Sequence, residues 1–263
     1  MNHATPASFY AHETNRGNYY SIASQIPDTD FEFFASAGFL DYKDKKGDKD
    51  PIDQVIESQG YTVCYGLEEF RKEAAGKERV IFCQESNRQE DAENYVSDAK
   101  TSEDITLAQM VQLGIESLGD DEPFFIMCEG GTIDWAAHDN RTMSMVTDMI
   151  DFDAAIKVAY DFYLQHPNET LIVVTADHET GGLSLGAGPE VNWQILEEQW
   201  EKDGKQNNLG RKENTDLNRK ASIGWTTGSH TGAPVPVFAI GKGAEKFSGR
   251  MDNTDIKGKI LCE

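Results

Sequence analysis

The sequence predicts an α/β fold in which a mostly parallel β-sheet is covered by helices on both faces. Three short runs consist almost entirely of apolar residues, namely Leu171–Val174 (LIVV), Pro123–Cys128 (PFFIMC) and Val235–Ile240 (VPVFAI). Such runs are typical of strands that are buried on both faces of a sheet. Because segments with helical periodicity alternate with these runs, parallel strands joined by crossover helices are the expected arrangement.

The first half of the chain supplies alternating helix and strand signals. Thr5 suits the N-cap position and Pro6 the first helical position, so a helix is expected over Pro6–Glu13. Hydrophobic periodicity predicts the remaining elements up to residue 83. In order, they are the helix Tyr19–Gln25, the strand Phe31–Ala35, the helix Ile52–Gln59, the strand Tyr61–Tyr65, the helix Leu67–Ala75 and the strand Val80–Cys83.

The second half begins with an amphipathic helix over Leu107–Leu118 that leads into the strand Phe124–Cys128. A long helix is expected over Asn140–Gln165, because apolar residues recur there at spacings of three and four and form one stripe. We expect this stripe, including its methionines, to lie in the core: Met145, Met149, Phe152, Ile156, Ala159 and Tyr163. Residues 186–222 are rich in Asn, Lys and Glu and are predicted to form a surface insertion.

The charge of the chain restricts its partners. Its 263 residues hold 24 Lys and Arg against 46 Asp and Glu, a formal net charge of −22. Nucleic acids and anionic membranes attract basic surfaces, so both are excluded as expected partners. An anionic substrate stays possible, since bound divalent cations can reverse the local field. No apolar run approaches the ~20 residues of a membrane span, and no signal peptide is recognisable.

The four cysteines are scattered, at positions 64, 83, 128 and 262, without a C-x-x-C pair. Cys128 closes an apolar run and is predicted to be a buried free thiol. Sequence alone leaves open whether Cys64 and Cys83 form a disulfide.

Residue types that commonly bind metal ions lie close to each of the three apolar runs. Asp134 and His138 are four residues apart, so one helical turn would bring both to one ion, and His230 could complete a three-ligand zinc site. Asp177 and His178 directly follow the strand Leu171–Val174 and could hold a second ion. Parallel α/β sheets bind ligands at the carboxyl ends of their strands, so we expect these residues to meet at one sheet edge.

Three further residues offer complementary chemistry. The oxygens of Glu129 and Thr5 are hard ligands that suit magnesium better than zinc. Arg16 carries a planar guanidinium that matches two phosphoryl oxygens. Two metal ions about 4 Å apart are known to hold the attacking and leaving oxygens of a phosphoryl transfer.

Four segments together resemble the alkaline phosphatase family: residues 3–16 (HATPASFYAHETNR), 129–138 (EGGTIDWAAH), 175–182 (TADHETGG) and 227–235 (TGSHTGAPV). They lie in the family's order along almost the whole chain. The resemblance implies a single catalytic domain over residues 1–263, with the three-layer α/β sandwich of that family. It also implies a phosphomonoester hydrolase that uses two zinc ions and one magnesium ion, and a periplasmic or secreted location.

The resemblance assigns a role to individual residues. Asp134, His138 and His230 match the ligands of the first zinc, and Asp177 and His178 match ligands of the second. Thr5 and Glu129 match ligands of the magnesium, and Arg16 matches the arginine that holds the phosphate. His3 and Trp135 stand where other members carry Asp and Lys, so these two neighbours of the site are expected to hold phosphate or its water differently.

One part of the family pattern is missing. In the family, an aspartate that bridges the magnesium and the second zinc, and the serine nucleophile after it, precede the segment matched by His3–Arg16. None of the serines here has the Asp-Ser-Ala context of that nucleophile. We therefore expect a chain truncated at its N-terminal side. Its first zinc site should be complete, the second zinc and magnesium sites should each lack one ligand, and the nucleophile should be absent.

Each assignment has a simpler structural alternative. Asp177 and His178 could cap a strand end, Asp134 and His138 could form a surface pair on a helix, and Arg16 could form a surface ion pair. Thr5 could serve as an N-cap, Glu129 as a surface acid and Trp135 as a packing residue.

The whole chain also has alternatives. A sulfatase would require a modifiable Cys or Ser in a C/S-x-P-x-R context, which is absent, and residues 186–222 are too short for the inserted domain of a phosphoglycerate mutase. The alternative from another class is a non-catalytic metal-binding fragment, or half of a split enzyme. Expected partners are a phosphomonoester or inorganic phosphate, together with either a second copy of the chain or the missing segment.

Overall fold

The computed structural model describes residues 1–92, 101–186 and 190–261. These residues form two compact units, Met1–Gly130 and Gly131–Glu263. No helix in the described ranges combines the length and the apolar composition that crossing a membrane requires. Cys262 lies outside the described residues.

The first unit is built on a three-stranded parallel sheet. Its strands are β1 (Phe33–Ser36), β2 (Thr62–Tyr65) and β3 (Val80–Cys83), and β3 lies between the other two. The helices of this unit are α1 (Ala4–Ser8), α2 (Tyr19–Ala23), α3 (Ile52–Glu57), α4 (Gly66–Glu73) and α5 (Leu107–Leu118). α5 begins at a capping box, in which the Thr106 hydroxyl accepts from the Gln109 amide and the Gln109 side chain accepts from the Thr106 amide.

Alternation along the strands separates two buried clusters. Ile81 and Cys83 belong to one cluster, which also contains Ile52 and Ile56 of α3. Phe82 belongs to the other cluster, as do residues of α4 and α5 such as Phe70, Met110 and Leu113. Because successive strand residues point to opposite faces, helices cover the sheet on both sides. This arrangement confirms the predicted α/β fold class.

The same alternation explains why Cys64 and Cys83 do not pair. Cys64 lies opposite Phe82 in the ladder, whereas Cys83 lies opposite Tyr65, so the two thiols point to opposite faces of the sheet. Both are buried free cysteines, and burial raises the pKa of Cys64 to about 11 and that of Cys83 to about 12. Cys128, expected to be buried, is only partly buried.

Two expectations for the first unit are wrong. Residues 123–130 have no regular secondary structure, so the predicted strand Phe124–Cys128 is not formed. An apolar run becomes a strand only when a neighbouring strand supplies hydrogen bonds, and this run has no ladder partner in the described part of the chain. The first helix spans Ala4–Ser8 with His3 as its N-cap, so Thr5 lies inside the helix instead of capping it.

The second unit contains three two-stranded antiparallel pairs. They are β4 (Leu171–Val174) with β9 (Phe238–Gly241), β5 (Glu179–Thr180) with β8 (His230–Thr231), and β6 (Leu183–Leu185) with β7 (Ile223–Trp225). The helices are α6 (Gly131–His138), α7 (Thr142–Gln165), α8 (Trp193–Lys202), α9 (Arg211–Lys220) and α10 (Asp255–Leu261). The predicted strand Val235–Ile240 therefore begins three residues later than expected, at Phe238.

The burial of the long helix α7 differs from the prediction. None of the six residues of the predicted apolar stripe is fully buried, and Met149 is 45 % exposed. Among the residues of α7 that are buried, four are polar or acidic: Thr142, Ser144, Asp148 and Asp151. Periodicity identifies the helix correctly, but it does not decide which face is covered by other elements.

The region predicted as a surface insertion contains α8 and α9, and residues 187–189 within it lie outside the described residues. Leu196 of α8 packs with Ala221 and Ile223 in the small buried cluster of this unit. The interpretation of residues 186–222 as an insertion stays a prediction.

Candidate metal centre

The helix α6 brings two candidate ligands to one place. Asp134 and His138 are separated by one helical turn, and Asp134 Oδ2 lies 3.5 Å from His138 Nε2. The spacing in the sequence predicts this proximity, because residues i and i+4 lie on the same face of a helix.

His230, which lies 92 residues beyond His138, completes the group. Its Nε2 lies 3.2 Å from His138 Nε2 and 3.8 Å from Asp134 Oδ1. Two ligand atoms that each lie about 2.0–2.1 Å from a tetrahedral zinc are about 3.3 Å apart, so the observed separations suit a shared ion. One ligand atom from each of the three residues can be chosen so that all lie within 4.8 Å of one another.

The protonation of His138 also fits a metal ligand. Its Nδ1 lies 2.9 Å from the carbonyl oxygen of Gly228. A carbonyl oxygen can only accept a hydrogen bond, so Nδ1 carries a proton, and Nε2 is the ring nitrogen that faces Asp134 and His230. Metal-ligating histidines usually donate their other ring N–H to such an acceptor. The donor set therefore fits a zinc ion on both geometry and tautomer.

A second pair of candidate ligands adjoins this triad. His178 Nε2 lies 3.2 Å from Asp177 Oδ2, and the His178 ring stacks on the His230 ring with centroids 3.5 Å apart. The Asp177 side chain is 72 % exposed, whereas that of His178 is 28 % exposed. The structure thus brings five of the predicted ligands together.

Thr180 connects the two groups. Its hydroxyl donates to Asp134 Oδ1 at 2.5 Å, and its oxygen lies 3.1 Å from His178 Nδ1. Because the Thr180 proton is used toward Asp134, His178 Nδ1 must donate to the hydroxyl oxygen. This leaves His178 Nε2, which faces Asp177 Oδ2, as the ring nitrogen that could bind a metal ion.

The turn after these residues requires glycine. Gly181 has φ +88°, and a Cβ built there would lie 2.4 Å from the Trp225 ring and 3.0 Å from the Ala137 carbonyl. Only glycine permits both the conformation and the close approach of this turn to α6. The turn is held to the His230 segment by a hydrogen bond from the Gly181 amide to the Ser229 carbonyl.

The expectation that all ligands meet at the edge of one sheet is wrong. Asp134 and His138 lie on a helix, Asp177 and His178 follow β4, and His230 lies in the short strand β8, which pairs with β5 and not with β4. The ligands are therefore gathered by a helix, a strand end and a small ribbon.

The remaining candidate residues belong to α6 or to the first unit. Trp135 is half-buried on α6, beside Asp134. His3, Thr5, Arg16 and Glu129 belong to the first unit, Met1–Gly130. His3 caps α1 and packs its ring 5.6 Å from that of Tyr19, and Thr5 and Glu129 are half-buried. Arg16 is exposed and has no ion-pair partner in the described part of the chain, which disfavours the surface ion pair as its role.

Sequence reasoning missed Thr180, the Gly228 carbonyl and Glu179. The Glu179 carboxylate accepts from the Thr231 hydroxyl and from the Gly182 amide, which lies 2.9 Å away. These bonds tie β5 to the strand that carries His230. A chemical argument could have identified Thr180 from the sequence. A ligating histidine needs a partner for its second nitrogen, and Thr180 lies two residues after His178.

Several known proteins resemble this chain in sequence and in structure. The family model described as alkaline phosphatase matches residues 89–206 and 194–262. Alkaline phosphatase 3 of Bacillus subtilis is 29 % identical over 99 % of the chain. A magnesium-bound variant of the alkaline phosphatase of the Antarctic bacterium TAB5 aligns over 99 % of the chain with a TM-score of 0.76 and 32 % identity. The cold-active alkaline phosphatase of a Shewanella species aligns over the same share with a TM-score of 0.77 and 27 % identity.

The matches cover only part of these proteins. The chain spans 65 % of the length of the Bacillus subtilis relative, 68 % of the TAB5 chain and 72 % of the Shewanella chain. The family model itself matches more than half of the chain, including all five residues of the candidate metal centre. The chain belongs to the alkaline phosphatase family.

Proposed function

We propose that the chain is the metal- and phosphate-binding part of a phosphomonoester hydrolase. Asp134, His138 and His230 would hold one zinc ion, and Asp177 and His178 would contribute to a second. The observation that supports this most strongly is the convergence of the first three side chains, with the His138 tautomer set by the Gly228 carbonyl. Divalent ions bound there would polarise phosphoryl oxygens and offset the charge of the attacking and leaving oxygens.

The chain's own residues have distinct tasks in this proposal. Thr180 keeps His178 and Asp134 in ligating orientation through its single hydroxyl. Arg16 would bind two oxygens of the phosphoryl group, for which its exposed guanidinium is suited. Thr5 and Glu129 would supply oxygen ligands to a magnesium ion, and His3 and Trp135 would adjoin the phosphate; these four roles are carried over from the family resemblance.

The magnesium assignment has support from a relative, since the TAB5 enzyme variant has Mg bound in a site called M3. We propose the same class of ion here, together with a periplasmic or secreted location and either a second copy of the chain or a further segment as partner.

The nucleophile is proposed to come from a segment outside these 263 residues, because none of their serines has the family context. Phosphoryl transfer needs an oxygen nucleophile beside the metal ions. We therefore expect the zinc-loaded chain to bind inorganic phosphate but to release very little phosphate from p-nitrophenyl phosphate. The chain joined to the family segment that precedes the His3–Arg16 motif should turn over many times faster.

The assay compares these two proteins under identical zinc and magnesium. Arg16→Ala in the joined protein should weaken phosphate binding and lower turnover together, whereas the exposed Arg71→Ala on α4 should change neither. Equal and substantial rates with and without the added segment would show that the nucleophile has been misplaced. Zinc binding without turnover in both would favour the non-catalytic fragment.

A further inference from the structure

The segment that follows the metal-binding helix has an unusual conformation. α6 ends at His138, and Asn140 has φ +54°, in the left-handed region that Asn tolerates better than other non-glycine residues. The Asn140 amide donates to the Ala137 carbonyl at 3.0 Å, and the Arg141 amide donates to the Ala136 carbonyl at 2.8 Å. Asn140 is therefore the residue at which the helix is stopped, two residues after a proposed ligand.

The side chain of Asn140 links this helix end to the segment that carries His230. With its amide nitrogen toward two carbonyl oxygens, Asn140 donates to Thr227 at 3.0 Å and to Ala137 at 3.1 Å, and its oxygen accepts from the Thr215 hydroxyl at 2.9 Å. In the opposite orientation its oxygen would face two acceptors, so this orientation is the favoured one. Asn140 is 4 % exposed, which strengthens these bonds.

α9 holds Asn140 from the other side. Asn218, 2 % exposed, donates through Nδ2 to the Asn140 carbonyl at 2.8 Å and accepts from the Thr142 hydroxyl at 2.7 Å. The Thr142 oxygen in turn accepts from Trp225 Nε1 at 3.0 Å. The network is buried and both ends of the Asn218 amide are used, so each member has one preferred position.

We propose that Asn140 and Asn218 are positioning residues of the metal centre. Asn140 sets the spacing between α6, which carries Asp134 and His138, and the segment Thr227–Gly232, which carries His230. Asn218 keeps Asn140 in place. The inference rests on the proposed metal binding, and it assigns to α9, within the predicted surface insertion, a role in organising the site.

Two features of the geometry separate this role from simple packing. Asn140 donates to the Thr227 carbonyl, and His138 donates separately to the Gly228 carbonyl. The segment Thr227–Gly232 is therefore held at two adjacent residues. Arg211, at the start of α9, lies against Gly228, where a built Cβ would meet its guanidinium at 2.1 Å. α9 thus contacts both the end of α6 and the loop.

The test measures zinc affinity of the full chain by competition with a chromophoric chelator, and the visible absorption of cobalt in place of zinc. Asn140→Gly keeps the left-handed backbone but removes the amide, and Asn218→Ala removes the support from α9. Each should weaken zinc binding by about 10-fold, the lower end of the loss caused by removing a direct outer partner of a ligand, because both residues act one step further out, and should reduce the tetrahedral cobalt absorption. Because the two act in series, the double variant should bind zinc no more weakly than the weaker single variant.

Leu196→Ala is the matched control, because it removes a buried apolar side chain of α8 in the same unit and none of the hydrogen bonds of this network. It should lower stability while leaving zinc affinity and the cobalt spectrum of the folded protein unchanged. Wild-type zinc affinity in Asn140→Gly and Asn218→Ala would overturn the inference, as would an equal loss of affinity in Leu196→Ala. Failure of the unaltered chain to bind zinc would instead refute the proposed function.

Discussion

The two units of the chain are stabilised differently. In the first unit, two apolar clusters lie on opposite faces of a parallel sheet and include fully buried side chains such as Phe82 and Ile81. The second unit has one small buried cluster, Leu196 with Ala221 and Ile223. Nine of the eleven exposed large apolar side chains in the described residues also belong to the second unit, among them Phe238, Leu185 and Leu164.

Buried polar groups replace much of the apolar core in the second unit. Asn140, Thr142, Asn214 and Asn218 are each at most 4 % exposed and are joined by hydrogen bonds around the end of α6. Such networks specify one arrangement but contribute less net stability than apolar burial of the same area. The comparison shows that the first unit is held together mainly by apolar burial, whereas the second relies more on buried hydrogen bonds.

The largest expected effect concerns the core of the first unit. Phe82→Ala should cost about 3–5 kcal/mol of unfolding free energy, because Phe82 is fully buried between α4 and α5. Phe238→Ala is the control, since that side chain is 64 % exposed and should cost well under about 1 kcal/mol. The unfolding free energies of both variants are measured in urea, with hydrogen exchange reporting on each unit separately. Similar losses in the two variants would contradict the contrast drawn between the units.

Zinc should act mainly on the second unit. At a free concentration 100 times its Kd, zinc should add about 2.7 kcal/mol to the stability of the state that binds it. Hydrogen exchange should therefore slow in α6 and β8 on zinc addition and speed up again on chelation. His230→Ala should abolish this protection, while His12→Ala, an exposed histidine of the first unit, should leave it intact. Equal protection of both units would show that zinc binds elsewhere.

A smaller effect is expected at Thr180. Thr180→Val has nearly the same shape but cannot donate to Asp134 or accept from His178, so zinc affinity should fall by about 10-fold. Thr180→Ser keeps the hydroxyl and should restore most of the affinity. Thr254→Val, at a surface turn of the same unit, serves as the control. If Val and Ser behave alike in a zinc titration, the hydroxyl has no positioning role.

The smallest effect on stability is expected at the β4–β9 ribbon. Changes there should instead alter the self-association of the chain. β4 pairs only with β9 in the described part of the chain, and Phe238 and Ile240 of β9 are exposed. An open apolar edge favours association between chains. We expect concentration-dependent self-association in sedimentation velocity, reduced by Phe238→Ser and unaffected by Lys212→Ala. A protein that stays monomeric at high concentration would refute this.

The sequence by itself determined several local elements and the proximity of two candidate ligands. The strands Val80–Cys83 and Leu171–Val174 and the helix Leu107–Leu118 have their predicted bounds, because apolar runs, periodicity and caps act within a few residues. The pair Asp134 and His138 follows from helical spacing in the same way. Four motifs were enough to indicate the family, to which the chain belongs.

Only the tertiary structure decided which other parts of the chain those elements pack against. The run Phe124–Cys128 is apolar enough for a strand but has no ladder partner among the described residues, and Met149 lies on an apolar stripe that is left exposed. The hydrogen bonds around the candidate metal centre join residues that are far apart in sequence, with His138 bound to Gly228 and Asn140 to Asn218. Periodicity reports which residues of an element lie on one face. Partners brought together across 78 or 90 residues depend on how the chain folds back, which no local pattern encodes.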